Sequence, residues 1–166
     1  GPIIPFIAET GGLNAMIADS SALPEQIVRD AVRSAFDSAG QRCSAARVLF
    51  LQDDIAAKTI PMLTGAIAAL KIGDPLAIDT DIGPVIDEPS QDALETHKLR
   101  MQDQARELID LRLPPNVRGG TYVSPACYEI DRMSLLDREV FGPILHVVRF
   151  PRGGLSKVID SINASG

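Results

Sequence analysis

Residues 47–52 read RVLFLQ, a run that is apolar from Val48 to Leu51 and is followed at once by Asp53 and Asp54. Without polar alternation, such a run is a strand covered on both faces, as in a parallel sheet between helical layers. Upstream, Ile27, Val28, Ala31, Val32, Ala35 and Phe36 recur at helical spacing. They predict a helix over 23–36 with Ser21 as N-cap and a stop near Gly40. Downstream, Asp53 or Asp54 is expected to cap a helix running towards Leu70.

The same reading extends outward. PFIAET, closed by Gly11 and Gly12, and NAMIADSS both read as buried strands, which puts Glu9 at a strand's end. KIGDP (71–75) is a turn and DIGPVIDEPS (81–90) a loop, followed by a polar amphipathic helix over 91–107 with few apolar anchors. ELIDLRL reads as a strand, PPNVRGG as loop, TYVSPACYEI as extended, and SLLDREVFGP as a short helical or turn segment. ILHVVRF is an apolar strand, and LSKVIDSINASG a closing helix that stops at a glycine. Alternating strand and helix signals define an α/β class with a mainly parallel sheet flanked by helices.

The 166 residues, 45% hydrophobic and 23% charged, suffice for one ordinary domain. Acids outnumber bases, 22 to 16, without a basic block, which argues against nucleic-acid or anionic-membrane surfaces. No apolar stretch approaches the roughly 20 residues that span a bilayer, and the start lacks the pattern of a secretory signal. The two cysteines, Cys43 and Cys127, lie far apart in dissimilar contexts, so no metal spacing or disulfide framework is legible. A reduced, cytoplasmic setting is the expectation.

Cys43 sits among Gln41, Arg42 and Ser44 with Arg47 shortly after, the better surroundings for a thiolate. Cys127, within SPACYEI, reads as a structural thiol. Composition alone leaves Cys43 equally readable as packing. Glu9, before Gly11 and Gly12, is either a solvated loop charge or a general base at the carboxyl end of a strand, where open α/β sheets place their sites. A rival Cys-His hydrolase needs an imidazole to deprotonate the thiol. His97, in the polar helix, reads as solvated, and His146 as a satisfied core residue.

AETGG with Glu9, GQRC with Cys43 and EVFGP (139–143) together resemble three signatures of the NAD(P)-dependent aldehyde dehydrogenase superfamily, in the same order and at similar separations. FIAETGG, SAFDSAGQRCSA and REVFGPILHVVR are most similar to the branch that oxidises glutamate γ-semialdehyde (pyrroline-5-carboxylate). Within it, they are closest to the domain fused to proline dehydrogenase in bacterial bifunctional proteins. The resemblance covers nearly all of residues 1–166, read as a single catalytic, cysteine-bearing domain fragment, about a third of a full dehydrogenase module.

The resemblance implies that Cys43 adds to the aldehyde, that hydride passes to NAD, and that Glu9 activates the water that hydrolyses the resulting thioester. The Cys43 N–H would help hold the oxyanion. Glu139 resembles the residue that binds the nicotinamide-side ribose hydroxyls, and Phe141 the ring that packs near the nicotinamide; outside the resemblance they read as a solvated charge and a core aromatic. NAD is the expected cofactor, and FAD only if a proline dehydrogenase domain is fused in the parent chain. Leu13 stands where many members carry lysine and this branch often carries glutamine, implying a local packing difference. The oxyanion-hole asparagine, the Rossmann half and the substrate-carboxylate loop of the family are not among these residues.

The expected partners are therefore the missing nucleotide-binding domain, an aldehyde substrate and, in the parent, further copies of the chain. The isolated segment is expected to be inactive. The alternatives from other classes are a Cys-dependent hydrolase or acyltransferase and a non-catalytic scaffold.

Overall fold

β2 (Val48–Gln52) is buried at all five positions, with β1 (Ala15–Ala18) on one side and β5 (Ile144–Phe150) on the other, both parallel to it. In this computed structural model the described residues are 3–7, 11–117 and 119–165. α1 (Pro24–Phe36) joins β1 to β2, and α2 (Asp53–Ala68) follows β2 directly. α3 (Glu88–Gln104) leads to β3 (Arg106–Asp110), then come β4 (Ala126–Glu129), β5 and α4 (Leu155–Asn163). The sheet order is β1-β2-β5-β4-β3, with β4 parallel to β5 and only β3 antiparallel. The expected fold class is the observed one.

The pleat explains the unbroken hydrophobicity of RVLFLQ. Leu49 and Leu51 join Leu145 and Val147 in a core with α1 and α2, while Val48 and Phe50 join Ile144, Val148 and Tyr128 in a second core on the opposite face. α3 covers that second face with Leu94, His97, Lys98 and Met101 turned inward. Its buried ammonium is paired: Lys98 Nζ lies 2.8 Å from Asp110 Oδ1 and donates to Ser124 Oγ at 2.6 Å. Among the described residues no helix is long and apolar enough to cross a membrane.

Several local expectations are corrected. Ile3–Ile7 of the opening run form no strand, and Ile3 and Phe6 are 97% and 89% exposed. Glu9 itself lies outside the described residues. Ser21 does not cap α1: its hydroxyl and N–H both donate to Asp19 Oδ1, a local turn, and the helix starts on Leu23 with Pro24 supplying the helical φ. Asp53 and Asp54 are the first two residues of α2, after Gln52 at the N-cap, and their carboxylates pair with Arg149 and Arg152. α3 spans 88–104 rather than 91–107, because Asp87 caps it by accepting from the Ser90 N–H at 2.9 Å. Of SLLDREVFGP, only Ser134 and Leu135 are helical, the end of a single 3₁₀ turn that begins at Met133.

Candidate active site

Because β1 and β2 are parallel neighbours, α1 must carry the chain back, and the turn that follows it arrives at the amino end of β2. Cys43 lies in that turn. Gly11–Asn14 precede β1, and Glu139–Pro143 precede β5, so three segments distant in sequence meet at the amino ends of three adjacent strands. The returning helix, not an outgoing strand, delivers the thiol to the amino end of β2.

Arg47 joins the three. Its side chain is fully buried, and its Nη2 and Nε donate to Glu139 Oε1 at 3.0 and 3.1 Å. Nη1 donates to the carbonyls of Gly40 at 2.7 Å and Gly142 at 3.3 Å, and Nη2 also to that of Arg42 at 3.2 Å. The guanidinium carbon lies 5.0 Å from the centroid of the Phe141 ring. Burial pulls the guanidinium down from its ordinary value, and Glu139 opposes that pull. Glu139 Oε2 in turn accepts from the Gly12 N–H at 2.9 Å. A Cβ at Gly11 would overlap that same oxygen, so the paired glycines serve the carboxylate, one by its N–H and one by its missing side chain.

Cys43 is exposed at the tip of a turn closed by the Ala45 N–H donating to the Arg42 carbonyl at 3.0 Å. Asn14 clamps this turn, its amide donating to the carbonyls of Cys43 at 2.7 Å and Ala45 at 3.0 Å. Among the described residues no acceptor takes the Cys43 N–H. The approach is strained: Ser38, Ala39 and Gly40 all have positive φ, at 58°, 52° and 67°. Cys127 is buried in β4, and burial pushes its thiol well up, the property of an inert structural cysteine. Sequence reasoning missed Asn14, whose only signal was an amide-bearing residue beside the glycine pair.

The histidines form a pair. His97 is 6% exposed, not solvated, and its Nε2 lies 2.9 Å from His146 Nε2. His146 Nδ1 lies 3.0 Å from the Arg47 carbonyl and must donate to it, so His146 Nε2 accepts from His97 Nε2. His97 Nδ1 is then the acceptor for Arg100 Nη2 at 3.3 Å. Every proton in the chain from Arg100 to the Arg47 carbonyl is thereby assigned, with both rings neutral. Neither imidazole is hydrogen-bonded to Cys43 among the described residues; their ring nitrogens are engaged with each other, with Arg100 and with the Arg47 carbonyl.

Burial is the first cause that pushes both imidazoles well below their ordinary value of 6.5, with neighbouring charge adding to it. An unfolded chain therefore takes up these protons first as pH falls. Stability is complete above 6.5 and declines as pH drops towards the depressed folded values. These are the only two histidines, and ordinary Asp and Glu titrate near 3.8 and 4.5, so the interval from 6.5 down to 4.5 reports this pair. Denaturant unfolding across it is expected to lose up to about 1.4 kcal/mol per pH unit for each histidine. His97→Gln should remove about half of that slope and leave the His146 share, whereas a wild-type profile that is already flat would mean the folded pair binds protons.

Beside Glu139 and Phe141 opens a cavity of about 190 Å³, lined also by Gln41, Ile86, Leu94 and His97. Gln41 ties its rim to the Cys43 turn: its Nε2 donates to the Pro84 carbonyl at 3.2 Å and its Oε1 accepts from the Ile86 N–H at 2.8 Å. Leu13 is half-buried against the second core.

The pattern of the aldehyde dehydrogenase family matches residues 1–166. The chain belongs to that family. It is 51% identical over 171 aligned residues to the "Bifunctional protein PutA" of Salmonella typhimurium, covering 100% of this chain and 13% of that protein. A mutant Proline Utilization A (PutA) of Bradyrhizobium japonicum superposes with a TM-score of 0.93 at 50% identity, over 100% of this chain and 17% of the other. A betaine aldehyde dehydrogenase of Staphylococcus aureus, solved in complex with NAD+, superposes with a TM-score of 0.85 at 26% identity, over 93% of this chain and 32% of the other. The chain thus spans about an eighth to a sixth of the PutA proteins it matches.

Proposed function

We propose that this segment is the cysteine-bearing part of a longer cytoplasmic dehydrogenase that oxidises L-glutamate γ-semialdehyde to L-glutamate with NAD, in proline catabolism. The observation that carries the reading is the exposed Cys43 turn joined through Arg47 to Glu139 and Phe141, in a chain about half identical to PutA proteins.

The residues fit the nicotinamide half of a dinucleotide. A carboxylate accepts about four hydrogen bonds; Glu139 Oε1 takes two from Arg47 and Oε2 one from Gly12, which leaves one position on Oε2 for a sugar hydroxyl. Phe141 has the Arg47 guanidinium close to its ring and is still 44% exposed, so it offers apolar surface to a planar ring. NAD, when bound, supplies the hydride acceptor. The thiolate of Cys43 adds to the aldehyde carbon, and its N–H donates to the developing oxyanion. Loss of hydride leaves a thioester on Sγ; water activated by Glu9 attacks it, releasing the acid and returning the thiolate.

Reduced nicotinamide formed from glutamate γ-semialdehyde by the full-length protein is the test. No reduced nicotinamide from the semialdehyde, together with hydrolysis of an activated ester, would favour the hydrolase instead. Glu9→Gln is expected to leave a rapid burst of reduced nicotinamide, about one per Cys43, followed by turnover slowed on the order of 100-fold. Loss of the burst to the same extent as turnover would give Glu9 an earlier role.

A further inference from the structure

We propose that Arg47 is a positioning residue that sets the nicotinamide-side carboxylate against the nucleophile turn. The inference rests on the dehydrogenase reading above and concerns how its two halves are held in register. The two loops meet with few direct ties: the Arg42 and Gly40 carbonyls lie on the cysteine side, the Gly142 carbonyl and the Glu139 carboxylate on the other. A single planar guanidinium satisfies all four, with its donors in a fixed fork, so displacement of either loop breaks bonds to both.

Its own placement is rigid. The Arg47 carbonyl accepts from the His146 N–H at 2.9 Å and from His146 Nδ1 at 3.0 Å, and the Arg47 N–H donates to the Asn14 carbonyl at 2.8 Å. The same Asn14 holds the Cys43 turn. Arg47 therefore touches neither substrate nor cofactor; it acts through Glu139. A lysine keeps the charge but offers a point contact in place of the fork, so it cannot hold both loops.

The test is a double-mutant cycle in the full-length protein, with Arg47→Lys, Glu139→Gln and the pair. The readouts are the NAD dissociation constant by calorimetry, KM for NAD and for aldehyde, and alkylation of Cys43 by iodoacetamide without nucleotide. Arg47→Lys is expected to weaken NAD about 10–100-fold, while KM for aldehyde stays within about twofold. In the Glu139→Gln background the same change should cost little more, since the route to the cofactor is already cut.

Equal fold-losses in both backgrounds, or an unchanged NAD constant in Arg47→Lys, would overturn the role. So would a parallel rise in both KM values with a fallen alkylation rate, which marks general loosening. If Arg47→Lys is not recovered folded, Arg47→Gln with Glu139→Gln replaces the ion pair by two neutral amides. No loss of NAD affinity beyond that of Glu139→Gln alone supports the role, and a further tenfold loss overturns it. A wild-type protein that binds no NAD defeats the dehydrogenase reading itself, which separates that failure from this one.

Discussion

Full-length protein carrying Cys43→Ala is expected to bind NAD as the wild type does and to oxidise aldehyde slower by on the order of 10⁴-fold or more. The thiol is the only proposed covalent partner of the substrate, and the neighbouring Ser44 hydroxyl is a far weaker nucleophile without a base to activate it. Its side chain, exposed at a turn tip, fills no core, so stability should stay within about 0.5 kcal/mol. Cys127→Ala gives the opposite pair of results: it removes a buried sulfur from the first core and lowers stability by about 1–2 kcal/mol, with turnover per folded molecule kept. Stopped-flow absorbance with calorimetric NAD titration separates the two. Wild-type turnover by Cys43→Ala, or loss of turnover by folded Cys127→Ala, would exchange the roles of the two cysteines.

The parallel sheet was legible because burial on both faces writes itself into composition: Val48, Leu49, Phe50 and Leu51 cannot be a half-solvated strand. α3 was legible as a helix but not as a core element. Its inward face carries His97 and Lys98, which count as polar in any periodicity, and only the tertiary partners His146, Asp110 and Ser124 make their burial tolerable. The opening run failed for the converse reason. Ile3, Ile4, Phe6 and Ile7 have the apolarity of a strand, yet a strand also needs a neighbour, and these side chains stand exposed in this chain.

At the site, each motif was legible and their junction was not. Glu139, Gly11 with Gly12, and Cys43 are separately conspicuous, but Arg47 reads as the charged margin of an apolar strand. The clue available in the sequence was indirect. Glycines at 11, 40 and 142 mark close backbone approach, and an acid at 139 brought near them needs a cation; the one inside the motifs, Arg42, donates instead to the Arg33 carbonyl at 3.1 Å. The amino-edge location was equally hidden, because it follows from the return of α1 to the head of β2, which no single motif encodes.

Gly40→Ala is expected to lower stability by about 3 kcal/mol, and the melting temperature by about 6–12 °C. Two costs add. The backbone there has φ +67°, which an alanine adopts only at about 1–2 kcal/mol, and the new Cβ would overlap the Gly142 carbonyl oxygen. That oxygen belongs to the Glu139 loop and is also held by Arg47 Nη1 and the Ile144 N–H, so it cannot yield without disturbing the whole junction. Ser38 and Ala39 are already left-handed, so the turn has no unstrained neighbour to absorb the shift. Gly153→Ala isolates the first cost, because Gly153 has φ +78° with nothing within 4 Å of an added Cβ. It should lose only about 1 kcal/mol. Since Cys43 stands three residues beyond Gly40, Gly40→Ala should also change the rate of Cys43 alkylation and lower turnover below the melting range, and Gly153→Ala should change neither. Equal melting shifts for the two variants would mean that the Gly40–Gly142 approach, and with it the close registration of the nucleophile turn on the Glu139 loop, is not a feature of the folded protein.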